Sequence, residues 1–297
     1  MNVTTTMGSP TQLAATAQDS RRPARLLMCP PDSYGVMYEI NPWMKCSVQP
    51  NLRLAHDQWR QLFHVLTLDL GCCVELAPQA NTCPDMVFTA NAALVVDNIA
   101  LLSRFRHQQR SLEEPHFADW FAMHGYRTIA APDDLRFEGE GDALVIGDTV
   151  VAGYLKRSDI ESHQWISESL NCPVLSLALA DNRWYHLDTC LFALTKDLIA
   201  FYPGAFDEYG VRVLRNKFDT IEVDESEALR FGCNSICVGR HVVMPAGCPN
   251  LEAQLETRGY HTHPVQMTEF IKAGGAAKCL ALFLERSADY LPPRDSP

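Results

Sequence analysis

Short apolar segments, joined in pairs by two-residue turns, recur along the chain and predict β-hairpins. The pairs are residues 93–96 with 99–102, residues 143–146 with 149–152, and residues 236–238 with 241–244. The intervening dipeptides are Asp97-Asn98, Gly147-Asp148 and Gly239-Arg240. Asp, Asn and Gly favour the tight turns that join antiparallel strands, so each pair predicts one hairpin.

Helical periodicity separates these hairpins. A first helix is predicted after a turn at residues 41–43, and its apolar face consists of Trp59, Leu62, Phe63 and Leu66. A second helix ends at Gly125, and its apolar face consists of Phe117, Trp120, Phe121 and His124. Further helices are predicted over residues 158–170, after Asp224, from Asn250 to Gly259, and as a turn over 268–272. Asp224 followed by Glu227 is typical of an N-terminal capping box. Additional strands are predicted at residues 25–28, 86–88, 174–177, 186–194, 198–202 and 279–284.

The alternation of hairpins and helices repeats roughly every 50 residues without sequence identity between the units. Several units of one supersecondary type favour a ring-like array around a centre. A plain α+β sandwich would give much the same string of elements. The hydrophobic pattern alone leaves both architectures open.

Length and composition suit one large globular domain or two small ones. The chain has 297 residues, of which 47% are hydrophobic and 21% charged. Residues 1–24 are polar, rich in Thr, Ser, Ala and Gln, and predict a disordered tail. We expect a single folded domain over residues 25–290 and a short tail over 291–297.

Charge and cysteine content narrow the classes of function. The formal net charge of −11, with no run of Lys and Arg, disfavours binding to nucleic acid or to an anionic membrane. No apolar run approaches the roughly 18 residues that a membrane span needs. The 11 cysteines, without an apolar leader segment, favour reduced thiols in a cytoplasmic protein. Their spacing matches no metal motif, and most are expected to be small buried apolar side chains.

Three separated segments carry candidate chemistry. Cys279 follows the glycine-containing loop 273–278 and opens a predicted strand, so its thiol can face a pocket, although a buried structural cysteine fits equally. Alternation places His186 and Asp188 on one face of a predicted strand. The pair can be a general acid/base with a neighbouring carboxylate, or the exposed polar face of an edge strand. Glu138 lies in an acidic, glycine-rich loop that suits a planar guanidinium, or is a solvated turn.

Weaker candidates are amides and arginines near strand ends. Asn41 and Asn91 end predicted strands or turns, where asparagine is common. Arg104 and Arg157 adjoin strands, and either can pair with an α-carboxylate or lie in solvent. The chain contains neither a phosphate-binding glycine loop nor a Gly-x-Ser-x-Gly nucleophile motif.

Several longer sequence segments, taken in chain order, resemble those of one protein family. They are residues 28–32, 39–44, 84–92, 137–144, 185–190, 201–207 and 268–280. As a group they resemble the guanidino-group-modifying enzyme superfamily of arginine deiminases, dimethylarginine dimethylaminohydrolases and amidinotransferases. The similarity is greatest to arginine dihydrolase domains of cyanobacterial type, and covers about residues 25–286.

The resemblance implies an α/β fold, a five-bladed α/β propeller of ββαβ-type units, and roles for individual residues. Cys279 would be the nucleophile, His186 the general acid/base, and Glu138 a guanidinium-binding acid. Substrate binding would involve Asn41, Met86, Asn91, Arg104, Arg157 and Asp188. Asn91 stands where deiminases and dimethylaminohydrolases usually carry an acid, as it does in dihydrolases.

The implied reaction is hydrolysis of L-arginine through a cysteine thiouronium to ornithine, ammonia and carbon dioxide, with no cofactor or metal. Dimethylarginine hydrolysis or deimination to citrulline is the alternative within enzymes, and a non-catalytic arginine sensor is the alternative of another class. The expected partner is a small-molecule substrate; a homo-oligomer is compatible with the sequence. Residues 191–194 and 231–237 depart from the family pattern, which leaves the choice among guanidino substrates open.

Overall fold

A computed structural model of the protein describes residues 23–286. Residues 1–22 and 291–297 of the predicted tails, and residues 287–290 of the predicted domain, lie outside the described residues. Ala24, which we assigned to the tail, is 3% exposed and packs in a core cluster with Leu26 and Met28. No helix in the described part of the chain is long and apolar enough to cross a membrane.

Within residues 23–286, fifteen strands form five separate three-stranded sheets. The strands are β1 Arg25–Met28, β2 Cys73–Leu76, β3 Ala93–Val96, β4 Ile99–Leu102, β5 Arg127–Ala130, β6 Ala143–Ile146, β7 Thr149–Tyr154, β8 Val174–Ala178, β9 Leu191–Ala193, β10 Leu198–Phe201, β11 Asp219–Glu222, β12 Ile236–Val238, β13 His241–Pro245, β14 His261–Val265 and β15 Leu282–Glu285. Five sheets of this kind exclude the plain α+β sandwich that the hydrophobic pattern left open.

Helices join the second and third strands of each sheet, and further short helices lie between sheets. They are α1 Leu52–His64, α2 Gln108–Ser111, α3 Glu113–Met123, α4 Gly139–Asp142, α5 Glu161–Leu170, α6 Glu208–Lys217, α7 Glu225–Ala228, α8 Pro249–Thr257 and α9 Thr268–Ile271. Short 3-10 segments cover Pro84–Val87, Thr89–Asn91, Leu187–Thr189 and Pro203–Ala205, and a π-helical segment, Val65–Asp69, continues α1. Asp224 caps α7 by accepting a hydrogen bond from the Glu227 backbone N–H, as the sequence predicted.

Each sheet has the same construction. Two strands pair antiparallel, a helix crosses, and a third strand pairs parallel with the second, as in β3–β4–β5 and β6–β7–β8. The three predicted hairpins are confirmed, and Asp97, Gly147 and Gly239 adopt positive φ angles of 53°, 62° and 60° in their turns. Positive φ at the start of a tight turn matches the twist of the paired strands.

The first and last segments of the described chain share one sheet. The C-terminal strand β15 pairs antiparallel with β1, and β1 pairs parallel with β2. The fifth unit is therefore completed by strands from both ends of the described chain. The first strands of neighbouring units contact one another, as β15 contacts β3 and β9 contacts both β6 and β12.

Three predicted strands are wrong near the site. Residues 84–87 form a 3-10 turn where a strand was predicted over 86–88. Residues 186–190 form a 3-10 turn, because the Thr189 side chain and backbone N–H both bond to the His186 carbonyl, and only Leu191–Ala193 is a strand. The strand predicted over 279–284 begins at Leu282, because the Ala281 N–H bonds to the Lys278 carbonyl in a turn. His186, Asp188 and Cys279 therefore all lie on turns that precede strands.

The parallel strand that ends each unit was missed in β2, β5, β11 and β14. These strands are short and partly exposed; in β5, for example, three of the four residues are exposed. Edge strands that face solvent do not carry the alternation of apolar and polar residues by which buried strands are recognised.

Candidate active site

The candidate site is built from the turns that precede the first strand of each unit. Asn91 comes before β3, Glu138 before β6, His186 before β9, Asn234 before β12 and Cys279 before β15. Because these five strands lie side by side at the centre of the ring, the turns before them meet at one end of it. Residues far apart in sequence are thereby brought into contact.

The Cys279 thiol is held by two neighbouring turns. The side-chain amide of Asn234 donates to Sγ at 3.1 Å, and its carbonyl accepts from the backbone N–H groups of Ala276 and Cys279, both at 3.1 Å. The thiol donates to Oδ2 of Asp188 at 3.4 Å. Asn234 therefore fixes both the backbone and the sulfur of the candidate nucleophile.

Burial keeps this thiol neutral in the unliganded protein. Cys279 is 2% exposed, and burial, together with the nearby Asp188 carboxylate, raises the pKa of its thiol well above the ordinary value. Burial also raises the pKa of Asp188 to about 7, although Lys278 and the Cys279 thiol oppose the shift. A cation placed between these two groups would lower both pKa values and favour the thiolate.

One oxygen of Asp188 has no partner. Its Oδ1 atom is buried and, among residues 23–286, no donor lies within ordinary hydrogen-bond distance and angle of it. Nearly all buried carboxylate oxygens in proteins accept at least one hydrogen bond. This oxygen is therefore available to accept an N–H from a bound molecule next to the thiol.

His186 and Glu138 form the second half of the site. The Nε2 atom of His186 lies 2.7 Å from Oε2 of Glu138, which also accepts a hydrogen bond from Nη1 of Arg157 at 2.9 Å. The other oxygen of Glu138 accepts the backbone N–H of Arg106 at 3.1 Å. Glu138 is thus already engaged on both oxygens by groups of the protein.

Burial and charge set the protonation of this pair. Burial acts to raise the pKa of Glu138, but Arg157 and His186 outweigh it and hold that pKa well below the ordinary value. Burial lowers the pKa of His186 to about 4, despite the opposing Glu138 carboxylate. At neutral pH the imidazole is therefore neutral and able to accept a proton.

Asn91 connects His186 to an arginine that sequence analysis missed. The Asn91 side chain lies 3.5 Å from Nδ1 of His186 through Nδ2 and accepts a hydrogen bond at 2.7 Å from Nη1 of Arg110 through Oδ1. Arg110 is 3% exposed and forms a two-pronged ion pair with buried Glu113. Arg110 lies in a polar stretch, residues 107–111, whose local sequence carries no signal of burial.

These groups surround a small cavity. Its lining residues are Ile40, Asn41, Asp85, Phe88, Asn91, Arg110, Arg157, Tyr185, Ala273 and Cys279. Glu138, His186 and Asp188 lie behind this lining and bond to Arg157, Asn91 and Cys279. In this conformation the cavity has about 10 Å³ of free space, which is about one water molecule.

The loop that carries Asn41 closes one side of the cavity. Asn41 donates to the Ala273 carbonyl at 3.0 Å and accepts from the backbone N–H groups of Trp43 and Met44. The Ile40 carbonyl accepts a hydrogen bond from Arg157 at 3.0 Å. Residues 40–44 are thereby tied both to the loop of Cys279 and to the arginine that binds Glu138.

Two of the predicted substrate-binding residues lie elsewhere. Arg104 pairs with Asp133 at 2.7 Å and donates to the Ala131 carbonyl, and it does not line the cavity. Its backbone forms an isolated antiparallel β-bridge with that of Phe137. Met86 is 1% exposed and packs in the core with Leu27. The structure brings Asn41, Asn91 and Arg157 to the cavity, but not these two side chains.

Besides Arg110, sequence reasoning missed Asp85, Tyr185 and Asn234. Asp85 and Tyr185 lie inside segments that carry the family resemblance, and this position could have marked them as candidate site residues. Asn234 lies in a segment that departs from the family pattern, and only the geometry around Cys279 identifies it. Across residues 23–286, no three His, Cys, Asp or Glu side chains are arranged to hold a metal ion.

This arrangement has the parts of a nucleophilic site for a planar cation. The Cys279 thiol lines the cavity, and a neutral imidazole and an unpartnered carboxylate oxygen lie behind its wall. The imidazole is oriented by a carboxylate, as is usual for a general base.

Comparison with known proteins agrees with this geometry. No protein-family model matches the chain. It is 38% identical to the N(G),N(G)-dimethylarginine dimethylaminohydrolase of Mycobacterium tuberculosis over 91% of this chain and 89% of that protein. It is 43% identical to the bifunctional arginine dihydrolase/ornithine cyclodeaminase of Nostoc sp. over 87% of this chain. The match covers 37% of that larger relative.

Solved structures agree on the fold. The N-terminal domain of a cyanobacterial arginine dihydrolase, bound to its product, superposes with a TM-score of 0.86 at 42% identity, over 89% of this chain and 98% of that domain. A dimethylarginine dimethylaminohydrolase adduct superposes with a TM-score of 0.73 at 21% identity, over 88% of this chain and 100% of that chain. The five ββαβ units are therefore those of the predicted five-bladed α/β propeller, the pentein fold. By sequence and by fold, the chain belongs to the guanidino-group-modifying enzyme superfamily.

Proposed function

We propose that this protein hydrolyses the guanidino group of L-arginine, through a covalent thiouronium on Cys279, to ornithine, ammonia and carbon dioxide. The observation that carries the proposal is the unpartnered Asp188 oxygen beside the Cys279 thiol, behind the wall of the cavity that Cys279 lines. The relatives support it, because those at 43% identity are named as arginine dihydrolases over the matching region.

In the first step the substrate cation favours the thiolate. Asp188 binds the guanidinium by hydrogen bonds and holds its carbon near the sulfur, and Arg157 and Arg110 line the part of the cavity where the amino-acid end would lie. Fixed placement of this kind supplies on the order of 7–11 kcal/mol of barrier reduction. As the cation binds, the thiol loses its proton and His186 takes it up. The thiolate attacks the guanidinium carbon, the C–N bond breaks, and ammonia leaves with the proton that His186 returns.

Hydrolysis of the thiouronium then uses His186 as a base. The neutral imidazole takes a proton from water, the resulting hydroxide attacks the same carbon, and the C–S bond breaks to give citrulline and free Cys279. In a second cycle the sulfur attacks the ureido carbon and expels the second ammonia. Water releases a carbamate of ornithine, which loses carbon dioxide. Arginine and two waters thus give ornithine, two ammonia and one carbon dioxide.

The neutral Asn91 amide favours the second cycle. Citrulline has lost the positive charge of arginine, so a carboxylate at this wall would have no cation to bind and would need desolvation. An amide can donate to the ureido oxygen or accept from a ureido N–H. Asn91 therefore suits retention of citrulline for a second attack.

Hydrolysis of methylated arginine is the competing activity. It is favoured by the M. tuberculosis relative, which matches this chain over nearly its whole length and is named a dimethylarginine dimethylaminohydrolase. The two activities differ in the amine released: ammonia from arginine, dimethylamine from dimethylarginine.

The products of purified protein test the proposal. The protein is incubated separately with L-arginine and with asymmetric dimethylarginine, and ornithine, citrulline, ammonia and dimethylamine are quantified, with a Cys279→Ser variant as the control. We expect two ammonia for each ornithine from arginine and no product from the variant. Citrulline as the end product, or turnover of dimethylarginine alone, would overturn the proposal in favour of the competing activity.

We also propose a cytoplasmic location. Among residues 23–286 no disulfide joins any of the cysteines, and Cys46 and Cys73 are exposed, which suits a compartment that keeps thiols reduced. Cell fractionation tests this directly: recovery of the protein with secreted or periplasmic material would contradict it.

A further inference from the structure

A buried ion pair between Glu113 and Arg110 is connected to His186 through Asn91. Glu113 itself has no part in the proposed chemistry. Glu113 is the first residue of α3 and is 0% exposed. Its two oxygens accept from Nε and Nη2 of Arg110, both at 2.8 Å. A two-pronged pair of this geometry fixes the plane and the direction of a guanidinium.

The rest of the Arg110 guanidinium is also held. Nη2 donates to the Asp85 carbonyl at 3.2 Å, and the guanidinium carbon lies 4.4 Å from the centre of the Phe105 ring. Nη1 is left to donate to Oδ1 of Asn91, at 2.7 Å. Glu113 thus determines where the Nη1 donor of Arg110 is directed.

This donor decides which way the Asn91 amide faces. An arginine can only donate hydrogen bonds, so the atom of Asn91 that meets Nη1 has to be the carbonyl oxygen. The amide nitrogen then faces Nδ1 of His186, at 3.5 Å. A flipped amide would place two donors against each other at Arg110.

The orientation of the amide in turn selects the tautomer of His186. The Asn91 nitrogen is a donor, so Nδ1 of the ring has to be an acceptor, without a proton. The opposite ring nitrogen, Nε2, then carries the proton and donates to Glu138 at 2.7 Å. Both contacts are satisfied only when the neutral ring is protonated on Nε2.

We infer that Glu113 is a positioning residue that acts through Arg110 and Asn91 to hold His186 in the tautomer whose Nδ1 accepts protons. Its consequence for catalysis rests on the proposed function, because only then is His186 a base for water. The tautomer itself does not depend on any activity.

The direct test is the protonation of the two ring nitrogens. Protein labelled with ¹⁵N-histidine is studied by two-bond ¹H–¹⁵N correlation NMR at neutral pH, with a His186→Asn variant to assign the signal. In the wild type we expect a protonated Nε2 and an unprotonated Nδ1. In Glu113→Gln the amide places a donor against a donor of Arg110, so we expect the Nδ1-protonated form to gain population.

The kinetic test uses matched variants. We expect Glu113→Gln to lower kcat for arginine hydrolysis at least about tenfold, with partial recovery in Glu113→Asp, which restores the charge. The control is Glu227→Gln. Glu227 is also buried, at 3% exposed, but its oxygens accept from the backbone of Asn250 and Leu251 at the start of α8. This control should lose stability while keeping kcat and the wild-type tautomer.

The outcomes distinguish the positioning role of Glu113 from the proposed hydrolysis of arginine. A wild-type His186 protonated on Nδ1, or an unchanged tautomer in folded Glu113→Gln, overturns the inference. Failure of Glu113→Gln to fold leaves the wild-type tautomer and the Glu113→Asp variant to decide it. A wild type that shows the expected tautomer but does not hydrolyse arginine overturns the proposed function and leaves the positioning role of Glu113 intact.

Discussion

At the scale of single residues, the site depends on side chains whose ordinary chemistry is changed by burial. Burial raises the pKa of the Cys279 thiol and lowers that of the His186 imidazole, so the resting protein holds a neutral thiol and a neutral base. Neither group is poised to react until a cation enters next to Asp188. Reactivity is therefore coupled to the charge of the substrate.

Asn91 gives the sharpest prediction about products. In Asn91→Asp we expect the ratio of ornithine to citrulline to fall, because a carboxylate next to Nδ1 of His186 favours a cationic substrate over the neutral ureido group. Chromatography of products from L-arginine measures the ratio. Since Asp also alters the contact with Arg110, Asn91→Ser serves as a neutral comparison. Unchanged ornithine output from the Asp variant would refute this role for Asn91.

Sequence analysis placed some residues at the cavity and missed others that only distant contacts hold there. Asn41, Asn91 and Arg157 were found in advance and do lie at the cavity. Arg110 was missed because its burial comes from Glu113 and the Asn91 turn, which a reading of local pattern does not include. Arg104 was chosen for a position beside a strand, whereas its side chain pairs with Asp133.

At the scale of elements, turns before strands carry the chemistry. The turn before β15 is shaped by Gly274, whose φ of +85° is in the left-handed region. A Cβ there would lie 2.7 Å from the Tyr185 hydroxyl and 2.9 Å from Oδ1 of Asn41. This glycine therefore permits both the sharp turn and the close approach of the Asn41 loop to the loop of Cys279.

Gly274→Ala tests that reading against a matched control. Gly259 has a similar φ of +78° but nothing within 4 Å of an added Cβ, so Gly259→Ala carries the backbone strain alone. We expect both variants to lose about 1–2 kcal/mol of unfolding free energy in urea titrations, and Gly274→Ala to lose somewhat more. Only Gly274→Ala should lose most of its arginine turnover. Equal activity of the two variants would contradict the proposed role of this turn.

The elements themselves were predictable to different degrees. Buried hairpins with Asn, Asp or Gly turns, such as β6–β7, followed directly from local sequence. The strand predicted over 186–194 was wrong at its start, because the side chain of Thr189 bonds back to His186 and forms a turn. Competition between local side-chain bonds and strand pairing is not visible in hydrophobic pattern.

At the scale of the whole molecule, the ring makes one site from five units. Each unit supplies a turn before its first strand, and β15 pairs with β1 and contacts β3, which places the Cys279 turn beside the Asn91 turn. The repeat of hairpin and helix predicted a ring-like array, and the resemblance supplied its five blades. Sequence could not supply the contacts between turns, because they depend on how neighbouring units pack.

Stability should depend on pH through His186. The unfolded chain binds a proton at this residue below about pH 6.5, while the folded pKa is about 4. Between these pH values the unfolded state binds more protons than the folded state. The contribution of His186 to the free energy of unfolding therefore falls as pH drops, by about 3 kcal/mol from pH 7 to pH 4. The comparison is urea unfolding of the wild type and of His186→Asn at both pH values. We expect a shallower pH dependence in the variant; parallel curves would show that His186 does not titrate as described.

The claim on which the account depends is that the sulfur of Cys279 bonds to the guanidino carbon. Acid quench of the protein during turnover of guanidino-¹³C arginine, followed by mass spectrometry of its peptides, measures that bond directly. We predict a labelled adduct, with the mass of arginine less ammonia, on the peptide that contains Cys279. It should be absent from the Cys279→Ser variant. Steady turnover with no adduct on Cys279, or an adduct on a different cysteine, would contradict the account.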